Sequence, residues 1–247
     1  MLTFLAALVQ LSLVVFIHEL GHYFFARLAG VRVISFNIGF GKVLWSIQRG
    51  GTLYALRCIP VGGYVLLAEK SVKNSPAVPP NECLENNSWL GRFGIISGGA
   101  LFNILFAWAV FLYLALRQWP FWPAIYKSVW ILLRLLKEFV REIILMFARG
   151  NFAGLSGPIG VLHMSAQSVR YGWVFFCLNA AFLSVNLGII NLLPFPALDG
   201  GRLFFLFYEL LFRRKPNPQV ENFIHLLGFI VLLTAILVIS FLDLHRL

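Results

Sequence analysis

The sequence predicts a polytopic α-helical membrane protein, with about four transmembrane helices, a membrane-associated β-hairpin and an interfacial amphipathic helix. Three observations carry this. The 247 residues are 60% hydrophobic and only 12% charged, about half the charge of an ordinary soluble domain. Several apolar stretches reach the roughly 20 residues that cross a bilayer as helix. The net charge of +10 comes from Lys and Arg flanking those stretches, where they face anionic lipid. No aromatic-basic RNA-binding pattern or zinc-finger spacing accompanies the charge, so nucleic acid is not an expected partner.

The spans fall at about 2–27, 93–116, 172–193 and 223–242. No basic segment precedes the first apolar run, which reads as a retained span rather than a signal peptide. Between the first two spans, "GFGKVLWSIQRGGTLYALRCIPVGGYVLL" places short β-prone runs on either side of "RGG", the pattern of a hairpin with a glycine turn, at about 41–66. The Pro-, Asn- and Ser-rich stretch "EKSVKNSPAVPPNECLENNS" after it reads as an exposed loop. Between the second and third spans, Lys127, Arg134, Lys137, Glu138, Arg141 and Glu142 interrupt an apolar run. This predicts an amphipathic connector at about 124–149. Trp130, Leu132, Leu133, Leu136, Phe139 and Ile143 would lie in the acyl boundary of the membrane interface.

Cys58, Cys83 and Cys177 are scattered and odd in number, so no complete disulfide framework is implied. Most of the 20 Lys and Arg lie in the 28–92 loop with Arg27 and in the 196–222 loop. That asymmetry predicts those loops on the cytoplasmic side and both termini outside.

The first span ends in "FIHELGHYFF", with ionisable groups at a depth where they cost several kcal/mol unless paired or metal-bound. On a helix, His18 and His22 share a face, with Cβ atoms about 5–6 Å apart, and can clamp one metal ion. Glu19 lies beside them, placed to take a proton from metal-bound water. This is the H-E-x-x-H arrangement of zinc peptidases. The plainer reading is a membrane helix whose polar residues bond to neighbouring helices. Gly21 permits close approach of such a neighbour.

Catalytic zinc commonly takes three protein ligands, and "NLLPFPALDGGRLFF" supplies a third candidate in Asp199. Pro194 and Pro196 break the helix there, so the backbone must lie against protein or a polar cavity. Asp199 could instead cap the helix that starts near Gly200. His163, His225 and His245 read as ordinary polar residues.

With these residues in hand, the chain resembles the site-2 protease family of intramembrane zinc metalloproteases, closest to the bacterial regulator-of-sigma-E protease branch. The resemblance runs in order through "HELGHYFFARLAGVRVISFNIGFGK", "IPVGGYV", "GRFGIISGGALFNILFA", "LSGPIGV" and "SVNLGIINLLPFPALDGGRLFF". It implies that His18, His22 and Asp199 bind Zn2+, that Glu19 is the catalytic base, and that Asn103 and Asn191 engage unwound substrate. It implies that the hairpin is the family's membrane-reentrant element. It also implies a multi-pass protein of the bacterial cytoplasmic (inner) membrane, with its active site opening toward the cytoplasm. Its substrates would be single-span proteins or signal-peptide-like segments.

Two departures stand out. Members of that branch usually carry a PDZ domain between the second and third spans, and this interval has no room for roughly 80–100 residues. The amphipathic connector is then expected to border the substrate entrance. "SGGALFN" also has Gly99 where the family often has proline. Two other readings remain open: a pseudoprotease that holds membrane segments without cutting, and an ion transporter, although no internal repeat favours the latter.

Overall fold

The computed structural model describes residues 2–69, 78–150 and 156–246. Helix α1 (Leu2–Leu28) leads into strands β1 (Val33–Arg49) and β2 (Thr52–Leu67). There follow α2 (Trp89–Leu116), α3 (Phe121–Arg149), α4 (Pro158–Arg170), α5 (Trp173–Leu192), α6 (Asp199–Phe212) and α7 (Pro218–Arg246). Among the described residues, four helices are long and apolar enough to cross a membrane: Thr3–Leu28, Trp89–Leu116, Trp173–Leu192 and Pro218–His245. These match the four apolar runs. The second starts earlier than the run itself because Ser88 caps it, its hydroxyl accepting the Gly91 N–H at 3.1 Å.

α1 and α2 cross at glycines. A Cβ on Gly21 would overlap the Gly98 carbonyl of α2, so the two backbones touch, as small residues allow in membranes. This contact sets α2 directly against the histidine face of α1. Near the end of α1, Ala26, Val31, Val33, Leu67, Leu84 and Ile95 form one buried cluster that fastens the helix, the strands and α2 together.

The strands extend beyond the expected 41–66 and fold back on themselves. Phe36 pairs with both Val65 and Tyr54, and Tyr54 pairs with both Phe36 and Ile47. The spatial order of segments is therefore 45–49, 52–56, 33–38 and 63–67. The bends fall at Gly39 (φ 84°) and Gly62 (φ 93°), a backbone region open to glycine at little cost. Segment 63–67 is left as an edge.

The loop expected at 69–88 is partly outside the described residues, at 70–77. Its far end is not free: short helical turns at Pro80–Glu82 and Leu84–Asn86 bury Cys83 and Leu84.

The connector forms helix α3 over its expected range, with Trp130 and Leu133 50% and 58% exposed, but part of its apolar face packs on protein. Leu132, Leu135, Leu136, Phe139 and Ile143 pack with Ala107 and Phe111 of α2 and with Ala181, Val185 and Ile189 of α5. The Trp108 indole donates to the Ser128 hydroxyl at 3.2 Å, and Phe139 meets Phe182 at 5.0 Å between ring centroids. Protein, not the acyl boundary, therefore covers Leu136 and Phe139, because α2 and α5 present a complementary apolar groove. α7 is mostly exposed along its length and packs chiefly on α4. There the buried Asp243 accepts the Gly160 N–H at 2.8 Å.

Candidate active site

The sequence places His18 and His22 on one helical face. In the structure the two Nε2 atoms lie 3.2 Å apart. Asp199 comes from the far side of the fold to meet them, its Oδ2 3.0 Å from His18 Nε2 and 3.2 Å from His22 Nε2. Among the described residues, His18, His22 and Asp199 are the cluster of metal-ligand type, with all ligand atoms within 4.8 Å of one another. Two ligands at about 2.0–2.1 Å from one tetrahedral ion lie about 3.3 Å apart, which is close to the spacing seen.

The loop after α5 explains how Asp199 arrives. Pro194 and Pro196 stop the helix, Ala197 adopts φ 76°, and the chain doubles back. A Cβ on Gly200 would overlap the Leu192 and Leu193 carbonyls, and one on Gly201 would lie 2.5 Å from the Phe195 oxygen. The two glycines are what let this turn close. Asp199 begins α6, whose N-cap is Leu198 with no side-chain capping bond. The carboxylate thus faces the histidines and does not cap the helix.

The other ring nitrogens bear on the fit of a metal. His22 Nδ1 lies 2.8 Å from the Ile95 carbonyl. It can only donate there, so Nε2 carries the lone pair a metal needs. His18 Nδ1 faces the Asn103 side chain at 3.3 Å. Asn103 is fully buried and its Oδ1 has no partner. Exchanging the amide nitrogen and oxygen, which heavy-atom positions do not distinguish, brings that oxygen to His18 Nδ1. Both histidines then donate Nδ1–H and turn Nε2 to Asp199. Gly99 leaves the space open: a Cβ there would lie 2.5 Å from His22 Nε2 and 2.7 Å from His18 Nε2. Donor set, tautomers and open face all fit zinc.

Glu19 is half-buried and faces the edge segment 63–67, where a Cβ on Gly63 would lie 3.5 Å from its Cγ. It shares a cavity of about 410 Å³ with the metal-type cluster, Tyr64–Leu67, Asn191 and Arg202. The sheet edge that borders the site is therefore 63–67. The stretch "VLWSIQRGGTLYALRCI" has its apolar side chains largely exposed and outside this cavity. Asn191 lines the cavity. Asn103 is fully buried beside His18 and does not.

A model of peptidase family M50 matches residues 6–235. The chain belongs to peptidase family M50. This is the site-2 protease family that the motifs resemble. Among its relatives, FN1322 of Fusobacterium nucleatum, named as a candidate zinc metalloprotease, is 27% identical over 340 aligned positions that cover 100% of this chain and 99% of that protein. A Helicobacter pylori (strain J99) protein of the same description is 27% identical over 350 positions, covering 99% of each. The regulator of sigma-W protease RasP of Bacillus subtilis is 47% identical over 93 residues, 38% of this chain and 22% of RasP. Alignments of 340 and 350 positions against 247 residues mean that the first two relatives contain sequence this chain lacks.

Sequence reading missed His225. Its Nδ1 accepts the Ala197 N–H at 3.0 Å, so α7 braces the strained residue two positions before Asp199. Nothing local to His225 in the sequence marks this, because the partner lies 28 residues away.

Proposed function

We propose that this M50 peptidase is a single-domain intramembrane zinc endopeptidase of the bacterial cytoplasmic membrane. It would hydrolyse peptide bonds in or near transmembrane segments, with its site opening to the cytoplasm. The observation that carries the reading is the cluster of His18, His22 and Asp199 at mutual distances of 3.0–3.2 Å, inside a helix otherwise built to span lipid. The names of the relatives and their bacterial hosts support zinc and the membrane, and the Lys and Arg distribution supports the orientation.

In this reading His18, His22 and Asp199 hold the ion. When bound, zinc supplies Lewis acidity, lowering the pKa of a coordinated water to about 7 and polarising a carbonyl. Glu19 takes the proton from water and passes it to the leaving amine, as a general base and then acid. Asn103 holds the His18 ring, not the substrate. The edge 63–67 receives an unwound segment as an added strand, replacing the hydrogen bonds a membrane helix gives up. Asn191 contacts the substrate backbone from the opposite wall.

The test is cleavage of single-span substrates by the purified protein in liposomes, with and without a chelator, beside Glu19→Gln. Chelator-sensitive cleavage that falls at least ~10²-fold in the variant, with metal content unchanged, is expected. Retained cleavage by metal-replete Glu19→Gln overturns the role of Glu19. Chelator-insensitive cleavage overturns the metal mechanism.

A further inference from the structure

A second cavity, of about 690 Å³, lies among α3, α4 and α5 and shares no lining residue with the metal-type site. Its size falls within the range of small-molecule sites, roughly 300–1,000 Å³. Its walls are mostly apolar, from residues such as Leu135, Phe175, Leu178 and Phe182. Lipid tails are as apolar as these side chains, so the walls alone select nothing in a bilayer.

The polar members of the lining decide what the cavity would prefer. Arg134 and Glu138 both line it, and one helical turn separates them on α3, about 5–6 Å between Cβ atoms. They do not pair with each other. Arg134 sits over the Trp130 ring at 5.4 Å, and Glu138 makes a 3.4 Å contact with the exposed Arg141. Exposed pairs of that kind are weak and readily exchanged. Trp130, Tyr171 and Trp173, at or beside the cavity, are 50%, 71% and 63% exposed, as the aromatic residues of a membrane-interface belt are.

We propose that this cavity binds a phospholipid with a zwitterionic, primary-ammonium headgroup. An acyl chain occupies the apolar space. The planar guanidinium of Arg134 takes the phosphate, and the Glu138 carboxylate takes the ammonium. A quaternary ammonium offers no N–H to that carboxylate, and an anionic headgroup meets Glu138 with like charge. The site therefore prefers phosphatidylethanolamine to both phosphatidylcholine and phosphatidylglycerol.

The test uses the full chain, delipidated in detergent, with each of these three lipids added in turn and retained lipid counted by native mass spectrometry. A preference of about two- to five-fold for phosphatidylethanolamine, the size of one exposed charge pair, is expected. Glu138→Gln should erase the preference over phosphatidylglycerol, and Arg134→Ala should weaken retention of all three lipids. Arg141→Ala, outside the lining, should leave the preference intact. Arg134 is exposed and Glu138 half-buried, and an unchanged melting curve confirms folding. Equal retention of the three lipids, or stronger retention of phosphatidylglycerol, overturns the proposal. So does a preference that survives Glu138→Gln, or a protein dimer occupying this face in place of lipid. The readout is lipid retention, so it stands apart from the proteolytic reading.

Discussion

The side-chain amide of Asn103 lies 3.3 Å from Nδ1 of His18, and its own oxygen is buried without a partner. An orphaned buried oxygen costs on the order of 1–3 kcal/mol. With the amide turned so that this oxygen accepts from His18 Nδ1–H, Nε2 is left free to ligate. Asn103 would then couple the tautomer of His18 to metal binding.

Asn103→Ala should accordingly weaken zinc affinity by about 10–100-fold, the usual effect of removing a partner of a ligating histidine. Asn103→Asp, which keeps an acceptor, should recover much of it. Competition with a chromophoric chelator measures both. If Asn103→Ala binds zinc normally, and loses cleavage only of stable helical substrates, then Asn103 is a substrate clamp as the sequence resemblance implies.

Gly99 leads to a sharper expectation. Its Cα faces both ligating nitrogens, and a methyl there would sit 2.5 Å from His22 Nε2 and 2.7 Å from His18 Nε2. Neither ring can retreat easily, because Ile95 and Asn103 hold their far sides. Gly99→Ala should lose bound metal while keeping its helix content, both read on one sample by elemental analysis and circular dichroism. Gly94→Ala is the control, since its Cβ would meet only Phe25 at 3.3 Å. Full metal in Gly99→Ala would show that the two rings shift to admit a side chain there, as a proline at this position would require.

Much of this was legible in the sequence, for physical reasons that differ by element. The spans were readable because length and apolar content alone decide them. His18, Glu19 and His22 were readable because ionisable groups in lipid demand an explanation, and Asp199 because two prolines break the helix before it. The buried side of α3 was not readable: its apolar residues suit lipid and protein equally, and only the shapes of α2 and α5 choose between them. The folding of one hairpin into four segments was not readable, because a period-2 pattern does not record bends such as those at Gly39 and Gly62. Asn103 and His225 act across 85 and 28 residues, beyond any local signal.

The position of α3 changes what substitutions in it should do. Leu136 and Phe139 are partly buried against α2 and α5, so Leu136→Glu with Phe139→Glu puts two carboxylates into an apolar helix contact. Each is a strongly destabilising class of change, and the protein should melt or aggregate well below the parent. Ile144 and Phe147 are 60% and 65% exposed, and Ile144→Glu should be far milder. A lipid-facing helix would give comparable effects at both positions, so similar thermal shifts for the double variant and Ile144→Glu would refute the packing.

The last prediction concerns how α6, and with it Asp199, is held. Arg92 at the start of α2 grips Glu209 with two parallel bonds, Nη2 to Oε1 at 2.7 Å and Nη1 to Oε2 at 2.8 Å. The hydrogen bonds from Arg92 hold the Glu209 carboxyl below the usual carboxylate range, against a smaller opposing effect of burial. A carboxyl lowered on folding stabilises the fold above its unfolded pKa, about 4.3 for Glu, and loses that contribution as pH falls through the lower folded value. Glu209→Gln removes the charge at every pH. The variant should therefore melt below the parent near neutrality, and the gap should shrink as pH drops beneath about 4. Comparing the two proteins at each pH cancels acid effects shared by both, including protonation of the histidines. A gap that stays constant down to strong acid would mean that the Arg92–Glu209 pair does not hold α6 through its charge.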